Sequence, residues 1–368
     1  MSTLDNVEAL KSADPGDMYG AICTFPEQIR KAVDIGLSVD LDPRLYAGLK
    51  NIILCGMGGS AIGGDLVRSL YYDRLPYPMF INRNYTLPAF AGPDTLVIAS
   101  SYSGATEETL SAFAQAHGLN CRLFALTTGG PLGETCRKNK IPVAVLPAGL
   151  QPRAALGYSM VPLALFLHRL GLGEYGPDHF LRLADFLENR IAGMTADITS
   201  DDNPAKQLAL QLYGRIPIIY SGPDVTDAVA TRFKGQICEN AKMPAFANQF
   251  PEFNHNELVG WKLIQTVRDH LRVIILRDEE DHPRVTARMD IVSGIIAQEE
   301  VKVIDVKSEG ENRLERMMSL VQFGDFTSFY LAILNKVDPT PVAVIDFLKH
   351  ELAKIRPAQS TPGSGRLR

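Results

Sequence analysis

Apolar residues in this chain gather in short unbroken runs. They occur at 51–58, 78–82, 95–100, 122–127 and 142–147. Runs this short, several ending in glycine or hydroxyl residues, predict strands buried on both faces. Helical spacing separates most of them, which predicts a parallel sheet with helices on both sides. A polar break follows at 201–206, Asp-Asp-Asn-Pro-Ala-Lys, and then the order begins again. The run at 216–222 ends in Ser-Gly, and a helix is predicted over about 225–241. Further apolar runs stand at 272–276 and 301–306, and a long apolar helix over about 314–336.

The expected architecture is therefore α/β, with two tandem doubly wound domains at 48–200 and 201–356. A polar, mostly helical lead-in occupies 1–47, where Ile29, Ala32 and Val33 share one side of a helix over 25–35. Helices are also expected at 160–172, at 177–192 and, closing the chain, at 342–355. Residues 357–368, rich in Pro, Ser and Gly, are expected to be a disordered tail.

Composition narrows the function. Of 368 residues, 46% are hydrophobic and 21% charged, the balance of a soluble globular protein. The net charge of −5 gives no large positive excess to draw the chain to nucleic acid or to an anionic membrane. No apolar run approaches the ~18 residues of a membrane helix. The first residues lack the basic and apolar regions of a signal peptide. Cys23, Cys55, Cys121, Cys136 and Cys238 are scattered, with no CxxC pair and no histidine at zinc-ligand spacing. They read as reduced thiols of a cytoplasmic protein.

The stretch with most chemistry runs from the strand at 95–100 through Ser101-Tyr102-Ser103-Gly104-Ala105-Thr106-Glu107-Glu108. It is a hydroxyl-rich turn at the start of a helix. The first N–H groups of a helix lack partners and carry partial positive charge, which suits an anion. Ser101, Ser103 and Thr106 add hydroxyls there, so the turn reads as a phosphate cradle held by neutral donors. A serine-rich helix cap is the competing reading. A second turn, Gly56-Met57-Gly58-Gly59-Ser60, follows the first strand. Gly56, Gly58 and Gly63 approximate a dinucleotide fingerprint, but the third glycine is misplaced. The next strand end, Asn82-Arg83-Asn84, also offers no acid for a ribose. Ser60 reads better as a donor to a ligand shared with Ser101–Thr106, since both turns follow strand ends.

Arg153 is the lone charge in a loop of small and apolar residues over 147–159, where a partner or ligand is expected and a solvated loop arginine is the alternative. Glu239 lies near the end of a helix that Pro244 stops. A carboxylate there faces partial negative charge, which suits a group that takes up a proton. A surface pair with Lys242 is the alternative. His255 follows in a polar loop, where a histidine is more often ordinary surface than catalytic.

Taken together and in order, five stretches resemble one known family. They are Gly56–Ala61, Ser101–Glu108, Gln151-Pro152-Arg153, Glu239-Asn240 with Phe253-Asn254-His255-Asn256-Glu257, and Asp338-Pro339-Thr340-Pro341-Val342. The family is that of the bifunctional phosphoglucose/phosphomannose isomerases, built from two sugar isomerase (SIS) domains. The resemblance spans about residues 48–349. It implies that Gly58, Gly59, Ser60, Ser101, Ser103 and Thr106 bind the sugar phosphate. Glu239 would move the proton between C1 and C2, and Arg153 would stabilise the enediolate. His255 would help open the sugar ring, reaching into a neighbouring subunit, and Lys336 would assist. Thr340 would leave room for either configuration at C2. The family implies a homodimer acting on sugar 6-phosphates with no cofactor and no metal. Two alternatives stand beside it: an SIS isomerase for another sugar or amino-sugar phosphate, and a phosphosugar-binding protein without catalysis. A glutaminase domain led by an N-terminal cysteine, and a basic helix-turn-helix domain, are both missing from the pattern.

Overall fold

The computed structural model describes residues 3–355, so the tail expected at 357–368 lies outside the described residues. The lead-in forms three helices: α1 (Val7–Ala13), α2 (Met18–Cys23) and α3 (Phe25–Ser38). The first sheet region then runs β1 (Asn51–Cys55), α4 (Gly58–Leu70), β2 (Met79–Asn82), β3 (Thr95–Ser100), α5 (Glu107–Gly118), β4 (Arg122–Thr127), α6 (Gly130–Asn139) and β5 (Val143–Val145). Helices α7 (Leu156–Arg169), α8 (Pro177–Ile191) and α9 (Pro204–Leu212) lead to the second. That region runs β6 (Ile216–Ser221), α10 (Asp227–Asn240), β7 (Phe246–Gln249), β8 (Leu271–Arg277), α11 (Pro283–Gln298), β9 (Val303–Lys307), α12 (Arg313–Leu334) and α13 (Ala343–Lys354).

All strand pairs are parallel. The first sheet has the order β2-β1-β3-β4-β5 and the second β7-β6-β8-β9. In each, the sequence-first strand lies inside the sheet, so the chain order reverses beside it. Turns at the carboxyl ends of such neighbouring strands are where ligands bind in open parallel sheets. The Gly58–Ser60 turn after β1 and the Ser101–Thr106 turn after β3 flank that point in the first sheet.

One apolar core runs beneath both sheets. It joins Ile52, Leu54, Leu96 and Ile98 of the first sheet with Ile219, Ile274 and Leu276 of the second, through α7 and α12. The outer faces carry separate clusters, one around Ile53, Val97 and Phe113, the other around Tyr220, Phe250, Phe253 and Trp261. Helix α12 has the length and hydropathy of a membrane span, yet 89% of its apolar window is buried inside the protein. It is apolar all round because helices surround it.

Three elements depart from the sequence pattern. The loop expected up to residue 159 ends earlier, because α7 starts at Leu156. Its start is capped from a distance. Gln28 on α3 accepts from the Gly157 N–H at 2.6 Å and donates to the Ala154 carbonyl at 2.8 Å. The region after α10, expected to be loop, contains β7. Asn248 and Gln249 give it no apolar signature, and only backbone pairing with β6 makes it a strand. Helix α11, unmarked in the pattern, covers the outer face of the second sheet through Val285, Met289, Val292 and Ile296.

Gln28 satisfies two backbone groups, the buried Gly157 N–H and the half-buried Ala154 carbonyl. Its replacement in Gln28→Ala should lower stability by about 1–3 kcal/mol, read as an earlier urea midpoint at unchanged slope.

Candidate active site

The two turns of the first sheet are tied to each other. The Tyr102 N–H donates to Ser60 Oγ at 3.0 Å, and Ser100 Oγ donates to the Ser60 carbonyl at 2.9 Å. Ser60 is buried at the first turn of α4. Ser101 is fully buried, and its hydroxyl lies 2.9 Å from that of Thr106. Ser103 is exposed, and its Oγ accepts from the Ala105 N–H at 3.3 Å. Thr106 stands at the N-cap of α5 without a side-chain cap bond. The start of α5 therefore keeps backbone donors open beside three hydroxyls, the requirement for an anion site. Gly104, at φ +68°, turns the chain where a side chain would strike the Gly129 carbonyl.

Gly59 brings Arg153 to this cradle. A Cβ at Gly59 would lie 2.6 Å from the Pro152 carbonyl and 2.8 Å from the Arg153 nitrogen. Only glycine lets the 151–154 turn rest on the start of α4. Gly58 beside it adopts φ +49° with open space where a side chain would be.

Arg153 is 3% exposed, and protein oxygens fix its orientation. Its Nε donates to Asn240 Oδ1 at 2.7 Å. Its Nη2 donates to the carbonyls of Pro339 and Thr340 at 2.7 and 2.8 Å. Of the five guanidinium donors, only those on Nη1 remain. Nη1 faces Glu239 Oε2 at 3.5 Å. Burial draws the guanidinium below its ordinary pKa, and the Glu239 charge opposes that. Beneath it, Asn240 Nδ2 donates to Ser328 Oγ at 2.9 Å, and Arg232 Nη2 donates to the Arg153 carbonyl at 3.2 Å. Arg232 in turn pairs with Asp325 at 2.7 Å, a carboxylate raised in pKa by its burial and held by Gln236 as well.

Glu239 lies in the last turn of α10 with its side chain 32% exposed. The alternative surface pair with Lys242 does not form. Lys242 Nζ instead donates to the backbone carbonyl of Glu239, and to that of Pro339 at 3.1 Å. Glu239 is thus a partly accessible carboxylate beside one buried cation.

The structure brings together Gly58, Gly59, Ser60, Ser101, Ser103 and Thr106, and sets Arg153 against Glu239 and the backbone carbonyl of Thr340, whose side chain faces Gly16 instead. His255 and Lys336 stand apart. His255 is exposed at the end of a single turn of 3-10 helix, Glu252–His255, and Lys336 is exposed just beyond α12. Among the described residues, no hydrogen bond or ion pair of this chain links either side chain to Glu239 or Arg153. The sequence places Asn240 beside Glu239 without giving it a role, and nothing local reveals that it turns inward to Arg153. Among the described residues, no three His, Cys, Asp or Glu side chains converge as metal ligands.

The chain is similar to known proteins along nearly its whole length. Residues 201–352 match the family described as the bacterial phospho-glucose isomerase C-terminal SIS domain. A bifunctional phosphoglucose/phosphomannose isomerase of Caldicellulosiruptor bescii is 43% identical, over 92% of this chain and 100% of its own. One from Aquifex aeolicus is 38% identical over 83% of this chain and 91% of its own. A D-glucosamine-6-phosphate 4-epimerase of Sulfolobus acidocaldarius is 32% identical over 57% of this chain and 63% of its own. Among solved structures, a hypothetical protein from Thermus thermophilus shares the fold with a TM-score of 0.74 at 15% identity, covering 94% of this chain and 93% of that one. A tagatose-6-phosphate ketose/aldose isomerase from Escherichia coli superposes with a TM-score of 0.66 at 15% identity, covering 88% and 96%. By sequence, the chain belongs to the bifunctional phosphoglucose/phosphomannose isomerase family.

Proposed function

We propose that this chain is an aldose–ketose isomerase that interconverts fructose 6-phosphate with glucose 6-phosphate and mannose 6-phosphate. The observation that carries the reading is the pairing of Arg153 Nη1 with Glu239 beside the hydroxyl cradle. Aldose–ketose transfer needs one base, and a positive group over the oxygen where charge develops. Glu239 takes a proton from C1 of the open-chain ketose. The electron pair moves onto the C2 oxygen, giving a cis-enediolate that Arg153 Nη1 stabilises. The proton returns at C2, and the hydroxyl proton passes from O1 to O2. Rotation of the enediolate presents either face of C2, and the family resemblance gives position 340 the part of leaving room for both. Ser60, Ser101, Ser103, Thr106 and the start of α5 hold the phosphate, so remote binding positions the reacting carbons.

The same reading makes the protein a homodimer, with His255 opening the sugar ring in the partner's site. Two observations support it. His255 points to solvent in its own chain, and exposed apolar residues lie near it in sequence, Val259 at 79% and Leu263 at 88% exposure. Helix α13 likewise bares Val344, Phe347 and Leu348. Lys336, exposed and apart from Glu239, would assist ring opening only from such an assembly. Five free thiols suit a reducing cytoplasm.

Purified protein should form both glucose 6-phosphate and mannose 6-phosphate from fructose 6-phosphate in coupled assays. The similarity to a glucosamine-6-phosphate epimerase makes glucosamine 6-phosphate the alternative substrate to assay beside it. Activity on that compound alone would replace the proposal. Glu239→Gln should lower kcat by about 10²–10⁴-fold while sugar-phosphate binding, followed by calorimetry, persists. Ser101→Ala and Thr106→Ala should each raise KM by roughly three- to tenfold, the loss of about 1 kcal/mol. Glu239→Gln and His255→Ala subunits, each inactive alone, should regain about a quarter of wild-type activity when reassociated at random. Half of such dimers are mixed, and each mixed dimer holds one complete site. No recovery would place His255 outside the partner's site.

A further inference from the structure

We infer that Gly16, in the lead-in, is a positioning residue for Arg153 and acts on it through Thr340. Gly16 lies in the turn between α1 and α2. Asp14 fixes that turn by accepting from the N–H groups of Met18 at 2.9 Å and Tyr19 at 2.8 Å. A Cβ at Gly16 would lie 2.5 Å from Cβ and Oγ1 of Thr340 and 2.6 Å from its Cγ2, closer than side chains approach. The Thr340 side chain is thus seated directly on the glycine. Its hydroxyl is buried there without a hydrogen-bond partner.

The backbone of that same threonine orients the guanidinium. The carbonyls of Pro339 and Thr340 hold Nη2, Lys242 Nζ also donates to the Pro339 carbonyl, and the Thr340 N–H donates to Asp338 Oδ1 at 2.9 Å. Guanidinium is planar and rigid. A displacement that moves the acceptors of Nη2 therefore turns Nη1 relative to Glu239 and to the oxygen it serves. Any side chain at position 16 forces such a displacement. The phosphate cradle lies on other turns and is spared, so the loss falls on the chemical step rather than on substrate capture.

This inference rests on the isomerase reading, and its test separates the two. The measurement is kcat and KM on fructose 6-phosphate, with thermal midpoints, for wild type, Gly16→Ala, Thr340→Gly and the double variant. Gly118→Ala serves as a control, since nothing lies within 4 Å of a Cβ there. Gly16→Ala should lower kcat about tenfold or more, with KM within about twofold and the control unchanged in both. Thr340→Gly removes all three atoms that meet the new side chain, Cβ, Oγ1 and Cγ2. In that background the effect of Gly16→Ala should shrink below about threefold. A wild-type kcat in Gly16→Ala, an equal loss in both backgrounds, or a loss that tracks the unfolded fraction would overturn the inference. Wild-type protein without isomerisation would overturn the reading beneath it as well.

Discussion

A guanidinium buried to 3% exposure constrains everything around it. Taking such a charge out of water costs several kcal/mol unless its donors are met. The acceptors for Arg153 come from the end of α10, through Asn240 and Glu239, and from the turn beyond α12, through Pro339 and Thr340. They stand 86 to 187 residues away along the chain. The cation is satisfied only once both sheet regions and the closing turn have come together. Folding and assembly of the candidate site are therefore the same event. The Arg232–Asp325 pair below Arg153 follows the same logic, since neither group has water to fall back on.

The two halves of the site use opposite physics. The cradle is neutral and partly open, built from hydroxyls and helix N–H groups of the kind that suit an anion without a counter-charge. The Arg153–Glu239 pair is charged and half enclosed, so its field acts at short range in a medium of low polarity. A phosphate carries its own two charges and needs only directed donors. A developing enediolate gains charge during reaction and profits from a cation fixed beforehand.

Much of this was legible from the chain. Short apolar runs mark most strands because strands buried on both faces have no polar side, as in β1 and β3. Ser60, Ser101 and Thr106 were readable because turn chemistry is local. What escaped depends on distant partners. The start of α7 is capped by Gln28 from another helix, and β7 is a strand only through its backbone. Asn240 and Gly16 carry no local signal, since their roles follow from what faces them across the fold. Arg153 sits between: its apolar surroundings announced a partner, and the fold supplied the partner's identity.

Helices α4 and α10 run antiparallel, and their far ends are pinned where Arg68 and Ser69 meet Asp227 at 2.5 and 2.6 Å. They span 13 and 14 residues, so the candidate cradle at the start of α4 and the candidate base at the end of α10 return to the same level. The pair behaves as a caliper whose jaws are Ser60 and Glu239. Its opening is set by helix pitch rather than by loops. One inserted residue in either arm would swing its jaw by about 100° and advance it by about 1.5 Å. Between residues 60 and 68, and again between 227 and 239, a change of length would misplace a jaw even with every side chain kept.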